Sequence, residues 1–328
     1  MKRREFITLI GSAAAAWPVM ARAQQAMPTI GLLSSRTPEA DALVLPAFRR
    51  GLAAQGYVEG KNVRIEYRSA GVQFDRLREL AADLVSSRPA VIVAIGDGVG
   101  GTRAARAASA TVPIVFITGG NPLTQGLVKS LNRPEGNITG VTAYFRELGP
   151  KRLELMHELM PRFVTAAILI NPQGGGGADG NVDDMRDAAQ TLGKQIRFLT
   201  ASADNDLDAA IASLEKSRPD VLLVDSNSLF LSRMDWLVAA AARLSIPGLY
   251  FRREFPAAGG LMSYGSSGDD NYRVLGDYAG RILKGARADQ LPVQQPTKFE
   301  LVLNIRTAKT LGIAVPPTLL ARADEVIE

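Results

Sequence analysis

The chain is predicted to be an α/β protein made of two doubly wound parallel-sheet lobes joined by a multi-strand hinge. Short apolar runs alternate with helical patterns from residue 29 onward, as expected for parallel strands linked by helices. The pattern of the first half recurs in the second half, 130 to 136 residues later. Without its first segment the chain has roughly 300 residues, which is more than one ordinary hydrophobic core holds.

Residues 1–23 are predicted to be a signal peptide that is removed on export. Arg3 and Arg4 precede an apolar run, and Ala21 and Ala23 supply the small residues of a cleavage site. The paired arginines are typical of a twin-arginine signal, and an ordinary Sec signal is the alternative. No other apolar run approaches the ~18 residues that a membrane span needs, so we expect a periplasmic protein without direct membrane insertion.

Charge and cysteine content exclude several classes of protein. The formal charge of +5 falls to +2 once the four basic residues and one acidic residue of the signal are removed, which is too little for nucleic-acid binding. The chain has no cysteine, so it has neither disulfides nor a site for lipid attachment. We therefore expect a protein that diffuses freely in the periplasm.

Lobe 1 is predicted over residues 27–142. Apolar or alternating runs indicate strands at residues 29–33, 63–67, 91–95 and 114–117. Leu45, Phe48 and Leu52 recur at helical spacing, as do apolar residues between positions 74 and 84.

Residues 112–142 are predicted to form half of a binding site followed by a hinge. The fourth strand ends in TGGNP (118–122), where two glycines allow close approach to a ligand and Pro122 suits the first turn of a helix. GNITGV (136–141) then indicates one more strand leaving the unit. In an open α/β sheet, small ligands bind just beyond the carboxyl ends of the strands.

Lobe 2, residues 143–260, is predicted from the internal repeat. The paired segments are TIGLL (29–33) with TAAIL (165–169), KNVR (61–64) with KQIR (194–197), SRP (87–89) with SRP (217–219), and VP (112–113) with IP (246–247). One pair could arise by chance, but four pairs in the same order indicate a duplicated lobe. After Glu254, residues 262–286 are predicted to return to lobe 1, and residues 287–328 to form a tail that braces the hinge and lobes.

The repeat places candidate ligand-binding residues past the carboxyl ends of strands one, three and four of each lobe. Two such rims facing one another would make a cleft. The candidates, with one tyrosine from the segment after lobe 2, are Ser34, Ser35, Asp97, Gly98, Gly119, Gly120, Asn121, Asn171, Asp225, Ser226, Asn227, Tyr250, Glu254 and Tyr264.

Four of these side chains have a structural alternative to ligand binding. Asp225 and Glu254 suit a ligand ammonium group, but each could instead form a salt bridge or cap a helix. Tyr250 and Tyr264 suit stacking on a ligand ring, but each could equally be a core residue with its hydroxyl hydrogen-bonded.

GDGVGG (96–101) matches the G-x-G-x-x-G fingerprint of dinucleotide sites. The acid expected about 20 residues later is missing, and the motif follows the third strand rather than the first. The motif better suits a carboxylate held by the N–H groups at a helix start, with a simple tight turn as the alternative.

No catalytic or metal site is predicted. His157 has no partner histidine, and the chain has neither a cysteine nucleophile nor a G-x-S-x-G elbow. GGGG (174–177) is not followed by G-K-[ST], so it is interpreted as a mobile loop at the cleft mouth rather than a phosphate cradle. We therefore expect no enzyme activity, no metal and no cofactor.

Motifs along the whole mature chain resemble those of the tryptophan/tyrosine-type ABC transporter substrate-binding family. They are GLLS (31–34), NPL (121–123) with GLV (126–128) and SL (130–131), GNITG (136–140), GGLMSYG (259–265), PTKFELVLN (296–304), AK (308–309), LG (311–312), PP (316–317) and ADEVI (323–327). The signal with Ala23 and Gln24 continues the match.

This resemblance implies a type I periplasmic binding protein with three hinge crossings and a ligand held between the lobes. It also implies an amino acid ligand, particularly an aromatic one. Family members commonly carry Asp before the Pro of the fourth-strand loop, where this chain has Asn121. A neutral amide there suits an ammonium group less well, so the resemblance supports a small polar or aromatic metabolite more broadly.

The function predicted is the periplasmic solute-binding component of an ABC importer, which delivers a small molecule to a permease in the inner membrane. A periplasmic sensor with the same fold is the first alternative. A dinucleotide-dependent enzyme is the second and weaker alternative.

Overall fold

The structure, a computed structural model, describes residues 27–96, 99–144, 148–172 and 178–328. Its two sheets lie in two lobes, which confirms the predicted α/β class. The predicted signal peptide, Asp97, Gly98 and the glycine run at 174–177 lie outside the described residues.

The strands of the described residues are β1 (Thr29–Ser34), β2 (Arg64–Ser69), β3 (Val91–Ile95), β4 (Ile114–Thr118), β5 (Ile138–Thr142), β6 (Thr165–Ile170), β7 (Gln195–Thr200), β8 (Val221–Val224), β9 (Gly248–Tyr250), β10 (Met262–Ser266), β11 (Phe299–Asn304) and β12 (Glu325–Ile327). The helices are α1 (Pro38–Ala42), α2 (Leu45–Ala54), α3 (Leu77–Ser86), α4 (Val99–Ala108), α5 (Gly149–Leu159), α6 (Ala178–Thr191), α7 (Asp204–Ser217), α8 (Ser228–Ser232), α9 (Met234–Arg243), α10 (Glu254–Ala257), α11 (Gly268–Leu283), α12 (Ile305–Thr310) and α13 (Pro317–Arg322).

The two sheets repeat one strand order. The first sheet is parallel throughout, in the order β2-β1-β3-β4-β5. The second sheet contains the same order as β7-β6-β8-β9-β10, and β11 and β12 extend it beyond β10. Each lobe buries two clusters of apolar side chains, because helices cover both faces of its sheet. The repeat seen in the sequence is therefore a repeat of topology.

Two local expectations are wrong. Residues 121–135 form turns rather than a helix after Pro122, and Gly126 has a φ of +66°, which a continuous helix cannot contain. The strand β10 does not belong to the segment that returns to lobe 1. It pairs with β9 and β11, because the buried Met262 packs in the core of the second lobe.

Three segments link the lobes: the one after β5, the one between β10 and α11, and the one before β11. The last of these lies beside β5 before it enters the second sheet. The Gln294 N–H donates to the Gly140 carbonyl at 2.9 Å, and the Thr142 N–H donates to the Gln294 carbonyl at 2.9 Å. The segment before β11 thus contacts β5 of lobe 1 at the hinge and then continues into the sheet of lobe 2.

The helix α11 returns to lobe 1 and crosses α2 at very short range. A Cβ on Gly276 would lie 2.0 Å from the Phe48 carbonyl oxygen, and a Cβ on Gly51 would lie 1.9 Å from the Arg273 carbonyl oxygen. Both contacts are with backbone, so neither can be relieved by rotating a side chain. Glycine on both helices therefore sets the distance at which α11 docks.

We expect Gly276→Ala to lower the free energy of unfolding by about 1–3 kcal/mol, because the added methyl group forces two backbones apart. Urea denaturation followed by circular dichroism measures this change. Gly101→Ala in α4 is the matched control, since its nearest neighbour would be a methyl group at 3.7 Å. The control should be neutral or slightly stabilising. Equal stability of the two variants would contradict the proposed close crossing.

Candidate functional site

The carboxyl ends of the two sheets face each other across a cleft, and the lobes touch there. The Oγ atoms of Ser35, after β1, and Ser228, at the start of α8, are 3.0 Å apart and share a buried hydrogen bond. The Thr37 N–H also donates to Ser232 Oγ at 3.4 Å. The structure therefore shows the lobes in direct contact at their strand ends.

Both lobes line the cavity that the cleft encloses. The space inside it that is open to water is about 40 Å³, so the cavity is narrow. Its lining residues are Arg36, Gly96, Ile117, Thr118, Gly119, Gln125 and Tyr272 from lobe 1, Ser226, Asn227, Ser228, Leu231, Phe251 and Arg252 from lobe 2, and Ala143 from the first crossing.

Arg36 is the buried cation on the lobe 1 wall. Its Nε donates to Asp41 Oδ1 at 2.7 Å, and its Nη2 donates to the Tyr272 hydroxyl at 2.6 Å. Burial alone would lower the pKa of Arg36, but Tyr272 and Asp41 outweigh that effect and raise it. The Nη1 group makes no hydrogen bond to any described residue. Arg36 therefore stays charged and keeps donor capacity on the cavity wall.

Asp41, the partner of Arg36, is held from a second side. The Tyr67 hydroxyl donates to Asp41 Oδ2 at 2.7 Å, and Asp41 itself is fully buried. Burial and this carboxylate together raise the pKa of Tyr67, so the hydroxyl stays protonated and keeps donating.

Arg252 is the buried cation on the lobe 2 wall. Its Nε and Nη2 donate to the two carboxylate oxygens of Glu254, at 3.0 and 2.5 Å. The Arg252 side chain is 5% exposed and the Glu254 side chain 19%. Burial alone would raise the pKa of Glu254, but the adjacent Arg252 outweighs it and lowers the pKa below its ordinary value. Glu254 thus orients Arg252.

Internal hydrogen bonds shape the loop after β4. Thr118 Oγ1 donates to Gln125 Oε1 at 2.6 Å, and Thr142 Oγ1 donates to the Gly120 carbonyl at 2.9 Å. These bonds fold the loop back onto the sheet and leave Gly119 on the cavity wall. Gly96, at the end of β3, has a φ of +98°, and a Cβ there would lie 2.0 Å from Ser35 Oγ. A side chain at position 96 would therefore displace the interlobe contact.

Asn227 supplies a buried amide donor at the cavity. Its Oδ1 accepts hydrogen bonds from the Leu229 N–H at 2.9 Å and from Asn171 Nδ2 at 3.1 Å. Its Nδ2 is buried and has no hydrogen-bond partner among the described residues. A buried amide without a partner is costly, so this N–H₂ group is suited to donate to a ligand.

The structure brings Gly119, Ser226 and Asn227 together on the cavity wall, as the sequence predicts. Ser35 forms the interlobe hydrogen bond, and Asn171 lies behind Asn227. Whether these residues bind ligand stays a prediction.

The remaining polar candidates lie outside the cavity lining. Ser34 Oγ accepts from the Arg36 N–H at 3.0 Å, and Asn121 Oδ1 accepts from the Leu123 N–H at 3.0 Å. The Gly120 backbone bonds to the side chains of Thr118 and Thr142. Asp225 Oδ1 lies 3.8 Å from Arg152 Nη1, and Glu254 pairs with Arg252. For the two acids the structure thus favours the salt-bridge alternative.

Neither candidate tyrosine reaches the cavity. Tyr250 is 1% exposed and stacks on Phe255 in the core of the second lobe, with ring centroids 4.6 Å apart. Its ring reaches back along β9, so that a Cβ on Gly248 would lie 2.4 Å from the hydroxyl. Tyr264 lies on β10 and stacks on Phe299. Alternation along a strand gives each side chain one face of the sheet, and both of these rings pack against apolar clusters of the second lobe.

Sequence reasoning missed several lining residues, namely Arg36, Gln125, Phe251, Arg252 and Tyr272. Arg36 directly follows Ser34 and Ser35, and Arg252 lies two residues after Tyr250, so the strand-end rule could have included both. The sequence has no comparable signal for Tyr272, because the return helix α11 carries it into the site.

The described residues contain no cluster of three or more His, Cys, Asp or Glu side chains placed to hold a metal ion. None of the described helices combines the length and the apolar character needed to cross a membrane.

Two sheets of repeated topology, linked by three segments around a shared cleft, define the architecture of a type I periplasmic binding protein. The chain matches the family model of ABC transporter substrate-binding proteins over residues 39–327, and it belongs to this family. The protein is therefore the solute-binding component of an ABC transporter. Proteins of this kind bind small molecules, work with ABC permeases and are typically extracytoplasmic.

Individual proteins are similar to this chain in sequence or in fold. A tyrosine-binding protein of Clostridioides difficile is 27% identical over 81% of this chain and 75% of its own length. The structure of a conserved domain protein from Vibrio cholerae has a TM-score of 0.82 at 26% identity, over 92% of this chain and 99% of that one. An ABC domain from Streptococcus pneumonia in complex with L-Trp has a TM-score of 0.80 at 23% identity, over 91% of this chain and 100% of that one.

We expect Glu254→Gln to lower the free energy of unfolding by about 1–3 kcal/mol at pH 7, because it removes the charged partner of the buried Arg252. A lowered carboxyl pKa contributes stability that is complete above the ordinary value of 4.5 and is lost as the pH falls through the folded value. The deficit of the variant should therefore shrink between pH 5 and about pH 3, as urea denaturation at each pH would show.

Glu325→Gln is the matched control, since Glu325 pairs with Arg253 and both side chains are exposed. Its effect should stay below about 1 kcal/mol. A Glu254→Gln deficit that is the same at pH 7 and pH 3 would contradict the ion-pair explanation.

Proposed function

We propose that the protein captures a small molecule with a carboxylate group, an amino acid or an aromatic acid, between its lobes in the periplasm, and delivers it to an ABC permease. The observation that carries this proposal is a pair of buried arginines, Arg36 and Arg252, one on each wall of the cleft. A carboxylate between two guanidinium groups forms charge-assisted hydrogen bonds worth about 1.5–3 kcal/mol each.

The charge balance of the walls favours a zwitterion over a multiply charged anion. Each arginine is already paired with an acid, Arg36 with Asp41 and Arg252 with Glu254. The walls therefore carry donors without a large net charge. The tyrosine-binding relative and the relative solved with L-Trp support an amino acid with a ring.

Ligand contacts with both walls would stabilise the closed arrangement. A ligand shifts an equilibrium between open and closed forms only through its differential affinity for the two. Here Arg36, Gly119 and Gln125 come from one lobe, and Ser226, Asn227 and Arg252 from the other. A solute that touches both sets therefore favours the lobe contact seen between Ser35 and Ser228.

Export to the periplasm belongs to this proposal and rests on the amino-terminal segment. The paired arginines and the small residues at 21 and 23 support a cleaved signal. A sensor with the same cleft would differ in its partner rather than in its ligand.

A thermal-shift screen of the L-amino acids, benzoate and neutral sugars tests the class of ligand. We expect an amino acid or aromatic acid to raise the melting temperature, since a ligand bound only by the folded state stabilises it. Calorimetry then measures the affinity. A rise with sugars and none with any carboxylate would overturn the proposal.

We expect Arg252→Gln to weaken binding of that ligand by about 10- to 100-fold, the range for one charge-assisted hydrogen bond. Calorimetry measures the loss, and circular dichroism shows whether the variant is folded. Arg253→Gln is the matched control, because Arg253 is half exposed and lies outside the cavity lining. Equal affinity of the two variants would remove Arg252 from the site.

A further inference from the structure

The second lobe contains another cavity, remote from the cleft. It lies at the amino end of β9, between α9 and α12, and shares no lining residue with the cleft cavity. Val238, Ile246, Leu261 and Leu311 give it apolar walls. The space inside it that is open to water is about 200 Å³. An apolar cavity of roughly 150 Å³ is enough to bind benzene.

Among the described residues that line this cavity, Tyr250 is the polar side chain that is almost fully buried. Tyr250 is 1% exposed, and its hydroxyl forms no hydrogen bond with another described side chain. The hydroxyl oxygen is not one of the fully buried atoms without a partner, so it keeps surface that a molecule in the cavity can reach. The hydroxyl ends over Gly248, which also lines the cavity.

Two glycines keep the Tyr250 ring in this position. A Cβ on Gly248 would lie 2.4 Å from the hydroxyl, and a Cβ on Gly260 would lie 2.7 Å from Cε2 of the ring. The ring also stacks on Phe255, with the ring planes 11° apart. These contacts hold the ring, and with it the Tyr250 oxygen, in one position.

The cavity has an accessible mouth. Arg306 and Thr310 of α12 are exposed and line it, and Arg306 Nη2 donates to the Glu328 carbonyl at 2.7 Å. A small molecule can thus enter without unfolding the lobe.

We propose that this cavity is a second binding site, for a small aromatic molecule that carries one hydrogen-bonding group. The ring would lie against the apolar walls, and its polar group would bond to the Tyr250 hydroxyl. The site goes beyond the proposed solute capture, because it uses no residue of the cleft. It is nevertheless joined to the cleft by packing, since Phe255 also contacts Phe251 of the cleft wall, with ring centroids 5.3 Å apart.

Titration of the protein with phenol, followed by amide chemical shifts in NMR, tests this site. The expected result is saturable shifts at Gly248, Gly260 and Thr310. Shifts confined to cleft residues such as Ser226 and Asn227, or no saturable shift at all, would overturn the proposal.

Two variants test the cavity and its polar group separately. Thr310→Trp should abolish phenol binding by filling the mouth, whereas Lys309→Trp, an exposed neighbour outside the lining, should leave it unchanged. Tyr250→Phe should weaken binding about three- to tenfold, the range for one neutral hydrogen bond. Unchanged binding in Thr310→Trp would show that phenol binds elsewhere, and unchanged binding in Tyr250→Phe would remove the hydroxyl from the site.

Discussion

Arg36 is buried on the wall of the cleft, and a buried guanidinium is tolerated only when its charge and its N–H groups are matched. The matching groups come from separate parts of the chain. Asp41 lies on α1 immediately after the first strand, whereas Tyr272 lies on α11, more than 200 residues later. The hydrogen bonds of Arg36 therefore connect the segment after β1 to the helix α11. It also leaves a charged donor on the cavity wall, so structural and ligand-binding demands meet at the same residue.

The docking of α11 depends on the absence of side chains at two positions. Gly276 and Gly51 let the backbones of α11 and α2 approach to distances that any Cβ would prevent. With α11 docked at this distance, the Tyr272 hydroxyl accepts a hydrogen bond of 2.6 Å from Arg36. The second lobe uses the same device at Gly248 and Gly260, which make room for the ring of Tyr250. In both lobes, glycines set how closely an aromatic side chain approaches the backbone or a partner.

Much of the fold follows from local pattern, and less of the site does. The apolar runs at residues 91–95 and 114–117 are buried strands because a parallel sheet covered on both faces needs continuous apolar sequence. The rule that ligands bind past strand ends selected Gly119, Ser226 and Asn227, which line the cleft cavity. The rule does not say which face of the sheet a side chain takes. For that reason it also selected Tyr250, which points into the core from a strand of three residues.

The sequence by itself determined the α/β class, the repeated succession of strands and helices, and the end of the strands at which the cleft is expected, because each rests on short-range periodicity or on a repeat. Only the tertiary structure decided that β10 joins the second sheet, that Glu254 pairs with Arg252, and that Tyr272 enters the site from α11. Such pairings are set by the free energy of burying charges and apolar surface among distant segments. No single stretch of residues contains that information, since it exists only once the lobes have packed.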